Sequence, residues 1–134
     1  MHHSLPALMW AGKMKSILLA DDNPYILDTL AARLRNNSTA VITATNGQEA
    51  VDAGIRNPPD LAILDVSMPV MSGLEAAERL HKNLPRLPII LYTSYADLLK
   101  PRMHELGVVA VFDKSSSLRE LLNTVDECLD RKAA

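Results

Sequence analysis

The chain has 134 residues, of which 48% are hydrophobic and 4% are aromatic, so one domain with an aliphatic core is expected. A formal net charge of −2 without a clustered basic run argues against direct binding of nucleic acid. The single cysteine excludes an internal disulfide, and no apolar run reaches the roughly 20 residues of a membrane span, which favours a cytoplasmic setting.

The first thirteen residues differ in pattern from the rest of the chain. Their apolar stretch, residues 5–12, is interrupted by Pro6 and lacks both a basic start and a small-residue cleavage site, so a signal peptide is not expected. Residues 1–13 are therefore predicted to be a flexible extension, either native or left from cloning. The folded domain is predicted over residues 14–134.

Five short apolar runs alternate with helical patterns along this domain. Such alternation predicts a parallel sheet that is covered by helices on both faces. Four of the runs, residues 16–20, 61–64, 89–92 and 108–112, are continuously apolar, as strands buried on both faces are. The run at residues 40–44 is more polar, which predicts an edge strand.

The segments between the strands have the apolar spacing of amphipathic helices. Pro24 precedes the first of them, and Cys128 lies on the apolar stripe of the last, where it is predicted to be a core residue. Three pairs have the spacing of an N-terminal cap and mark further helix starts: Asn46 with Glu49, Ser72 with Glu75, and Ser117 with Glu120.

The fourth helical segment is irregular, because Pro101 falls where a helix interior is expected. Proline removes one hydrogen-bond donor and clashes with the preceding turn. It also disfavours helical angles at the residue before it, here Lys100. This helix is predicted to be short and to start near Lys100, or to be distorted.

Polar residues stand where the predicted strands end, and ligands of open α/β sheets bind at that edge. Each has an ordinary explanation by itself: Asp22 or Asn23 could cap a helix, and Lys114 could be a solvated surface lysine. Together, three carboxylates would raise one another's pKa unless a cation lay among them, and Mg2+ prefers such oxygen ligands. The residues at this edge are Asp21, Asp22, Asp65, Thr93, Asp113 and Lys114.

Two stretches carry a resemblance to a known family. Residues 17–23 are similar to the acidic-pair opening of response-regulator receiver domains, and residues 65–73 match their D-x-x-M-P-x-M-x-G segment. Thr93 and Lys114 fall where the family has its switch threonine and its lysine. The resemblance covers about residues 14–131. It implies a doubly wound, flavodoxin-like five-stranded parallel sheet of strand order 2-1-3-4-5 with helices on both faces.

The resemblance also implies a phosphorelay function rather than a conventional enzyme. Asp65 would accept a phosphoryl group from a phosphohistidine on a sensor histidine kinase or a histidine phosphotransfer protein, and Lys114 and Thr93 would hold it. Mg2+ would be bound by Asp22, Asp65 and the backbone carbonyl of Ser67, with Asp21 acting through water. An output domain, a target protein or a second copy of the chain would receive the signal.

The chain departs from the family pattern at the output side of the domain. Val111 stands where the family usually has an aromatic switch residue, and Phe112 would point to the opposite face of the sheet. Ser115 replaces the usual proline after Lys114, so a cis peptide is not expected there. Thr93, Tyr95 and Val111 are therefore the predicted switch residues, and Tyr95 is the predicted aromatic participant.

Two other functions remain as alternatives. A haloacid-dehalogenase-type phosphatase also uses an aspartate nucleophile, but it needs a second acid two residues later, where this chain has Ser67. A degenerate receiver would act as a binding module without phosphorylation. Retention of all the site residues argues against that second alternative.

Overall fold

The computed structural model describes residues 14–133, so the extension predicted over residues 1–13 lies outside them. Five strands form one sheet: β1 (Lys15–Ala20), β2 (Thr39–Ala44), β3 (Leu61–Leu64), β4 (Ile89–Thr93) and β5 (Ala110–Asp113). The helices are α1 (Pro24–Leu34), α2 (Gly47–Arg56), α3 (Gly73–Asn83), α4 (Ala96–Leu99), α5 (Met103–Leu106) and α6 (Leu118–Ala133). Within the described part of the chain, no helix is both long and apolar enough to cross a membrane.

The sheet has the predicted topology. All of its pairings are parallel and the strand order is β2-β1-β3-β4-β5, which places β2 at an edge as its polar sequence indicated. Strand β5 begins two residues later than predicted, at Ala110. The register pairs Ala20 with Leu64 and Thr93 with Asp113, so the residues that follow these strands meet at one edge of the sheet.

Two separate hydrophobic clusters cover the two faces of the sheet, which makes the fold doubly wound. One cluster joins alternate strand residues to α2, α3 and α4, with Leu80 fully buried at its centre. The other joins the remaining strand residues to α1 and α6, and it includes Cys128, which is 3% exposed. Val111 lies in the first cluster and Phe112 packs against the second, which confirms that they point to opposite faces.

The helices begin where the capping spacing predicted. Asn46 accepts a hydrogen bond from the Glu49 backbone N–H at 2.8 Å, and Ser72 accepts one from that of Glu75 at 3.2 Å. The Glu75 carboxylate pairs with Arg79 at 2.9 Å. Helix α1 has Asn23 as its cap, which accepts from two backbone N–H groups in the first turn. These caps satisfy donors that the first turn of a helix leaves unpaired.

The fourth connection is divided, as the position of Pro101 predicted. Between α4 and α5 the chain makes a 3-10 turn over Lys100–Arg102, and Pro101 lies within that turn. Two expectations were wrong in detail. The segment begins at Ala96 rather than near Lys100, and Lys100 keeps helical angles (φ −52°, ψ −44°). A 3-10 turn accommodates a proline in its first positions because those residues donate no hydrogen bond within it.

Candidate functional site

Three carboxylates meet at the carboxyl edge of the sheet. Asp21 and Asp22 follow β1, and Asp65 follows the neighbouring strand β3. The Asp65 backbone N–H donates to the Ala20 carbonyl of β1 at 2.9 Å, which holds the two strand ends together. One oxygen of each carboxylate lies within 4.8 Å of the others. Asp21 and Asp65 are buried, at 3% and 6% exposure, whereas Asp22 is exposed. The parallel register of two adjacent strands therefore assembles the acidic cluster.

Lys114 brings a positive charge into this cluster from the end of β5. Its Nζ lies 2.7 Å from Asp21 Oδ2 and 3.1 Å from Asp65 Oδ2, and its side chain is 16% exposed. A mostly buried ammonium shared by two buried carboxylates is held firmly, since charge-assisted hydrogen bonds strengthen away from water. The lysine thus fixes the relative position of Asp21 and Asp65.

The pKa of Asp65 is set mainly by its burial and by the charges beside it. Burial raises the pKa of Asp65, the hydrogen bond from Lys114 opposes that rise, and the nearby charge of Asp21 adds to it. Burial would lower the pKa of Lys114, but the two carboxylates outweigh it and raise that pKa. The pKa of Asp65 therefore stays above its ordinary value even with an ammonium beside it, because burial and the charge of Asp21 together outweigh Lys114.

Backbone N–H groups hold the two buried carboxylates in place. Asn23 donates to Asp21 Oδ1 at 2.9 Å, and Val66 donates to Asp65 Oδ1 at 2.7 Å. No motif in the sequence predicts these donors. Their only sequence signal is their position, one or two residues after an aspartate that follows a strand.

Two glycines allow the loop after Asp65 to pack closely. A Cβ on Gly73 would lie 1.7 Å from the Asp65 carbonyl oxygen, and one on Gly47 would lie 2.2 Å from that of Met71. The Gly73 N–H donates to the Val66 carbonyl at 2.8 Å, and the Gly47 N–H donates to Met71 at 3.1 Å. The glycine of the D-x-x-M-P-x-M-x-G segment is thus explained by the approach of helix α3 to the backbone of Asp65.

Val70 in the same loop has an unusual backbone conformation. Its φ is +70°, and the Met71 N–H donates across it to the Pro69 carbonyl at 2.7 Å, which closes a three-residue turn. A β-branched residue with positive φ is strained. The turn leaves the Val70 side chain 81% exposed while Met71 is buried in the core. The burial of Met71 next to it holds this strained conformation.

The predicted switch residues lie on the α4 side of the site. Thr93 is fully buried at the end of β4, and its Oγ1 accepts a hydrogen bond from the Tyr95 N–H at 3.2 Å. Tyr95 is 50% exposed. Val111 is buried on β5, paired with Leu91 of β4. Ser67 is exposed in the loop after Asp65.

Asp113 does not join the acidic cluster, although the sequence placed it at the same edge. Its Oδ1 accepts hydrogen bonds from the Ser115 backbone N–H at 2.7 Å and the Ser115 hydroxyl at 2.5 Å. These bonds hold the pKa of Asp113 below its usual range. No peptide bond among residues 14–133 is cis, in agreement with the expectation for Lys114–Ser115.

The donor set fits a divalent cation. Asp21, Asp22 and Asp65 supply only carboxylate oxygens, which Mg2+ prefers. Three carboxylates against one ammonium leave two negative charges in excess. An ion of charge +2 would balance them, with Asp22 as its most accessible ligand.

A doubly wound sheet with an acidic pair, a third aspartate and a lysine at its carboxyl edge defines a class of α/β signalling domains. The sequence model of the response regulator receiver domain matches residues 17–126. The chain therefore belongs to the receiver domain family of two-component response regulators, whose members interact with histidine kinases.

Curated relatives are longer regulators. The chain is 36% identical over 113 residues to a putative transcriptional regulator of Pseudomonas aeruginosa, covering 81% of this chain and 54% of that protein. It is 32% identical over 118 residues to the alkaline phosphatase synthesis transcriptional regulatory protein PhoP of Bacillus subtilis, covering 87% and 49%. The chain thus spans about half the length of these two relatives.

Solved structures of similar proteins share the fold. A receiver domain protein (CheY-like) from Methanospirillum hungatei is 33% identical with a TM-score of 0.79, covering 90% of this chain and 97% of that one. The response regulator protein TrrA of Thermotoga maritima, solved in complex with Mg2+ and BeF, is 34% identical with a TM-score of 0.77, covering 86% and 99%. The family match leaves the haloacid-dehalogenase-type alternative without support.

Proposed function

We propose that this chain is a phosphorelay receiver that accepts a phosphoryl group on Asp65 in a magnesium-dependent reaction and changes conformation to signal. The observation that carries the proposal is the Lys114 ammonium held between Asp21 and Asp65 within the three-carboxylate cluster. The donor in this proposal is a phosphohistidine on a sensor histidine kinase or a histidine phosphotransfer protein, in the cytoplasm. We take residues 14–134 as the receiver domain.

Phosphoryl transfer mainly requires the protein to position the reacting groups and to neutralise the charge on the phosphoryl oxygens. A carboxylate oxygen of Asp65 forms the new bond to phosphorus while the P–N bond of the phosphohistidine breaks, and the imidazole leaves with that electron pair. Lys114 already lies beside Asp65 and would neutralise a phosphoryl oxygen on arrival. The Val66 N–H orients the carboxylate by holding its Oδ1.

The metal site in this proposal consists of Asp22, Asp65 and the backbone carbonyl of Ser67, with Asp21 acting through water. Bound Mg2+ would supply charge neutralisation for the phosphoryl oxygens. Asp21 is the carboxylate that Lys114 contacts most closely, at 2.7 Å, which is consistent with its having an indirect role toward the ion. The exposed Asp22 remains open to a cation.

Signalling is proposed to run through Thr93. In the described structure its hydroxyl oxygen accepts the Tyr95 N–H, so a shift of Thr93 toward a phosphoryl group on Asp65 would break that bond. Tyr95 directly precedes the divided segment of α4, the 3-10 turn and α5. Val111 offers no ring to rotate, so the movement would pass to residues 94–101 and then to an output domain, a target protein or a second copy.

The test uses acetyl phosphate as donor and Mg2+, with phosphate incorporation measured by mass spectrometry of the intact protein. Wild type should gain one phosphoryl group, and Asp65→Asn should gain none while keeping its fold. Asp52→Asn is the matched control, since Asp52 lies exposed on α2 and away from the cluster. Undiminished incorporation in Asp65→Asn would refute the assignment, and none in wild type would favour the degenerate receiver.

A further inference from the structure

The loop after β5 determines where Lys114 points, and its two ends are fixed differently. On the N-terminal side, the Lys114 backbone N–H donates to the Thr93 carbonyl at 3.2 Å, which extends the sheet pairing by one residue. On the C-terminal side the chain leaves the sheet, and Ser115 and Ser116 are exposed. Something other than the sheet must therefore hold the backbone that follows the lysine.

The Asp113 side chain supplies that restraint. Its Oδ1 accepts both the backbone N–H and the hydroxyl of Ser115, at 2.7 and 2.5 Å, and so bridges over Lys114. The Asp113 carbonyl accepts the N–H groups of Ser116 and Ser117 at 3.3 and 3.0 Å. Aspartate closes turns in this way because its short side chain reaches the backbone two residues ahead.

Among residues 14–133, no other side chain holds the Lys114 peptide as closely. The hydroxyl of Tyr92 lies 3.4 Å from the Lys114 carbonyl, longer than the usual range for a hydroxyl donor. The Lys114 side chain, in contrast, must reach two carboxylates at once, at 2.7 and 3.1 Å. A loosened backbone would lose at least one of these short contacts.

We propose that Asp113 is a positioning residue that acts through Ser115 to keep the Lys114 ammonium at Asp65. The inference rests on the proposed phosphoacceptor function of Asp65 and deepens it. It assigns to an aspartate outside the acidic cluster the task of orienting the group that neutralises the phosphoryl oxygens. Misplacing such a group by about 1 Å can reduce a rate by as much as about 100-fold.

The expected signature separates positioning from general damage. If Lys114 moves away, its contact with a phosphoryl mimic weakens, but its competition with a cation for Asp21 and Asp65 weakens too. Asp113→Ala should therefore bind beryllofluoride about tenfold more weakly in the presence of saturating Mg2+. Its affinity for Mg2+ alone should be unchanged or higher. A disrupted site would lose affinity for both beryllofluoride and Mg2+.

Titrations of the full chain followed by amide chemical shifts would measure both affinities. Asp113→Asn keeps an oxygen acceptor for Ser115 and should return beryllofluoride binding to within about threefold of wild type. Ser116→Ala is the control, because only the backbone of Ser116 takes part in the turn. If Asp113→Ala does not fold, Ser115→Ala removes one of the two bonds and should weaken binding in the same direction, by a smaller factor.

The outcomes are distinct. If Asp113→Ala binds beryllofluoride with the wild-type affinity, the role of Asp113 is refuted while the proposed function stands. Where Asp113→Ala does not fold, wild-type affinity of Ser115→Ala has the same meaning. Parallel loss of Mg2+ and beryllofluoride without rescue by Asp113→Asn also overturns the inference, since the role would then be structural. Failure of wild type to bind beryllofluoride overturns the proposed function, and this inference with it.

Discussion

The close approach of helix α3 to the backbone of Asp65 predicts a large effect of a single methyl group at Gly73. In Gly73→Ala the added Cβ would lie 1.7 Å from the Asp65 carbonyl oxygen, 2.7 Å from its carbon and 3.0 Å from the Val66 Cα. All three atoms belong to the backbone, so no side chain can rotate away. The helix start must retreat by roughly 1.5–2 Å to restore an ordinary van der Waals contact.

Two energetic effects add in this variant. Overpacking against a rigid partner costs about 1–3 kcal/mol. The retreat also breaks the 2.8 Å hydrogen bond from the Gly73 N–H to the Val66 carbonyl, which contributes about 0.5–1.5 kcal/mol. The free energy of unfolding should fall by about 1.5–4.5 kcal/mol, a large share of the roughly 5–15 kcal/mol typical of a domain.

Urea denaturation followed by circular dichroism would measure this change, with Gly54→Ala as the matched control. Gly54 lies in the interior of α2, where its Cβ would meet the methyl ends of Leu80 and Leu18 at 2.7 and 3.3 Å. Those ends can shift, and alanine gains about 1 kcal/mol of helix propensity over glycine. Equal destabilisation by the two substitutions would refute the argument from backbone contact.

The remaining predictions concern the site itself. Burial and Asp21 raise the pKa of Asp65, so ionising this carboxyl group lowers the stability of the folded protein. Asp65→Asn should therefore have a higher melting temperature than wild type at pH 7 without metal, and this difference should disappear as the pH falls to the ordinary carboxyl pKa of 3.8. An equal melting temperature at pH 7 would contradict this. Mg2+ should shift amide signals at residues 21–22, 65–67 and 114 in wild type but not in Asp22→Asn. Unaffected signals in wild type would show that the metal site is wrongly assigned. Tyr95→Ala should change the lifetime of the aspartyl phosphate, measured by decay of the phosphorylated mass, because the half-exposed ring of Tyr95 lies two residues after Thr93; identical decay would count against a role for Tyr95.

The strained turn at Val70 shows what the tertiary structure adds to a sequence motif. The D-x-x-M-P-x-M-x-G pattern marks the loop after Asp65, but nothing in the residue type of a valine predicts a φ of +70°. The conformation follows from how Met71 is held next to it, since Met71 is buried in the core and its carbonyl accepts the Gly47 N–H. Packing overrides the local preference of a β-branched residue here.

The fourth connection shows the limit of local rules. Pro101 correctly predicted an interruption, because the proline ring and its missing donor act within one turn of helix. Its consequence for Lys100 was predicted wrongly, since that residue keeps helical angles and the chain changes to a 3-10 turn instead. Leu99 and Ala96, which anchor the segment in the core, favour a compact continuation over an extended one.

The sequence by itself determined the sheet, its two covered faces and the four charged residues of the site. Unbroken apolar runs specify strands buried on both faces, and aspartates directly after two such runs must meet when the strands are parallel neighbours. Only the tertiary structure decided which charges pair. The sequence places Asp113 at the same edge of the sheet as Asp21. The Asp113 carboxylate nevertheless accepts hydrogen bonds from Ser115, whereas the Lys114 ammonium lies between Asp21 and Asp65. Side chains of adjacent residues leave a strand end in different directions, and only the path of the following loop determines which of them points into the site.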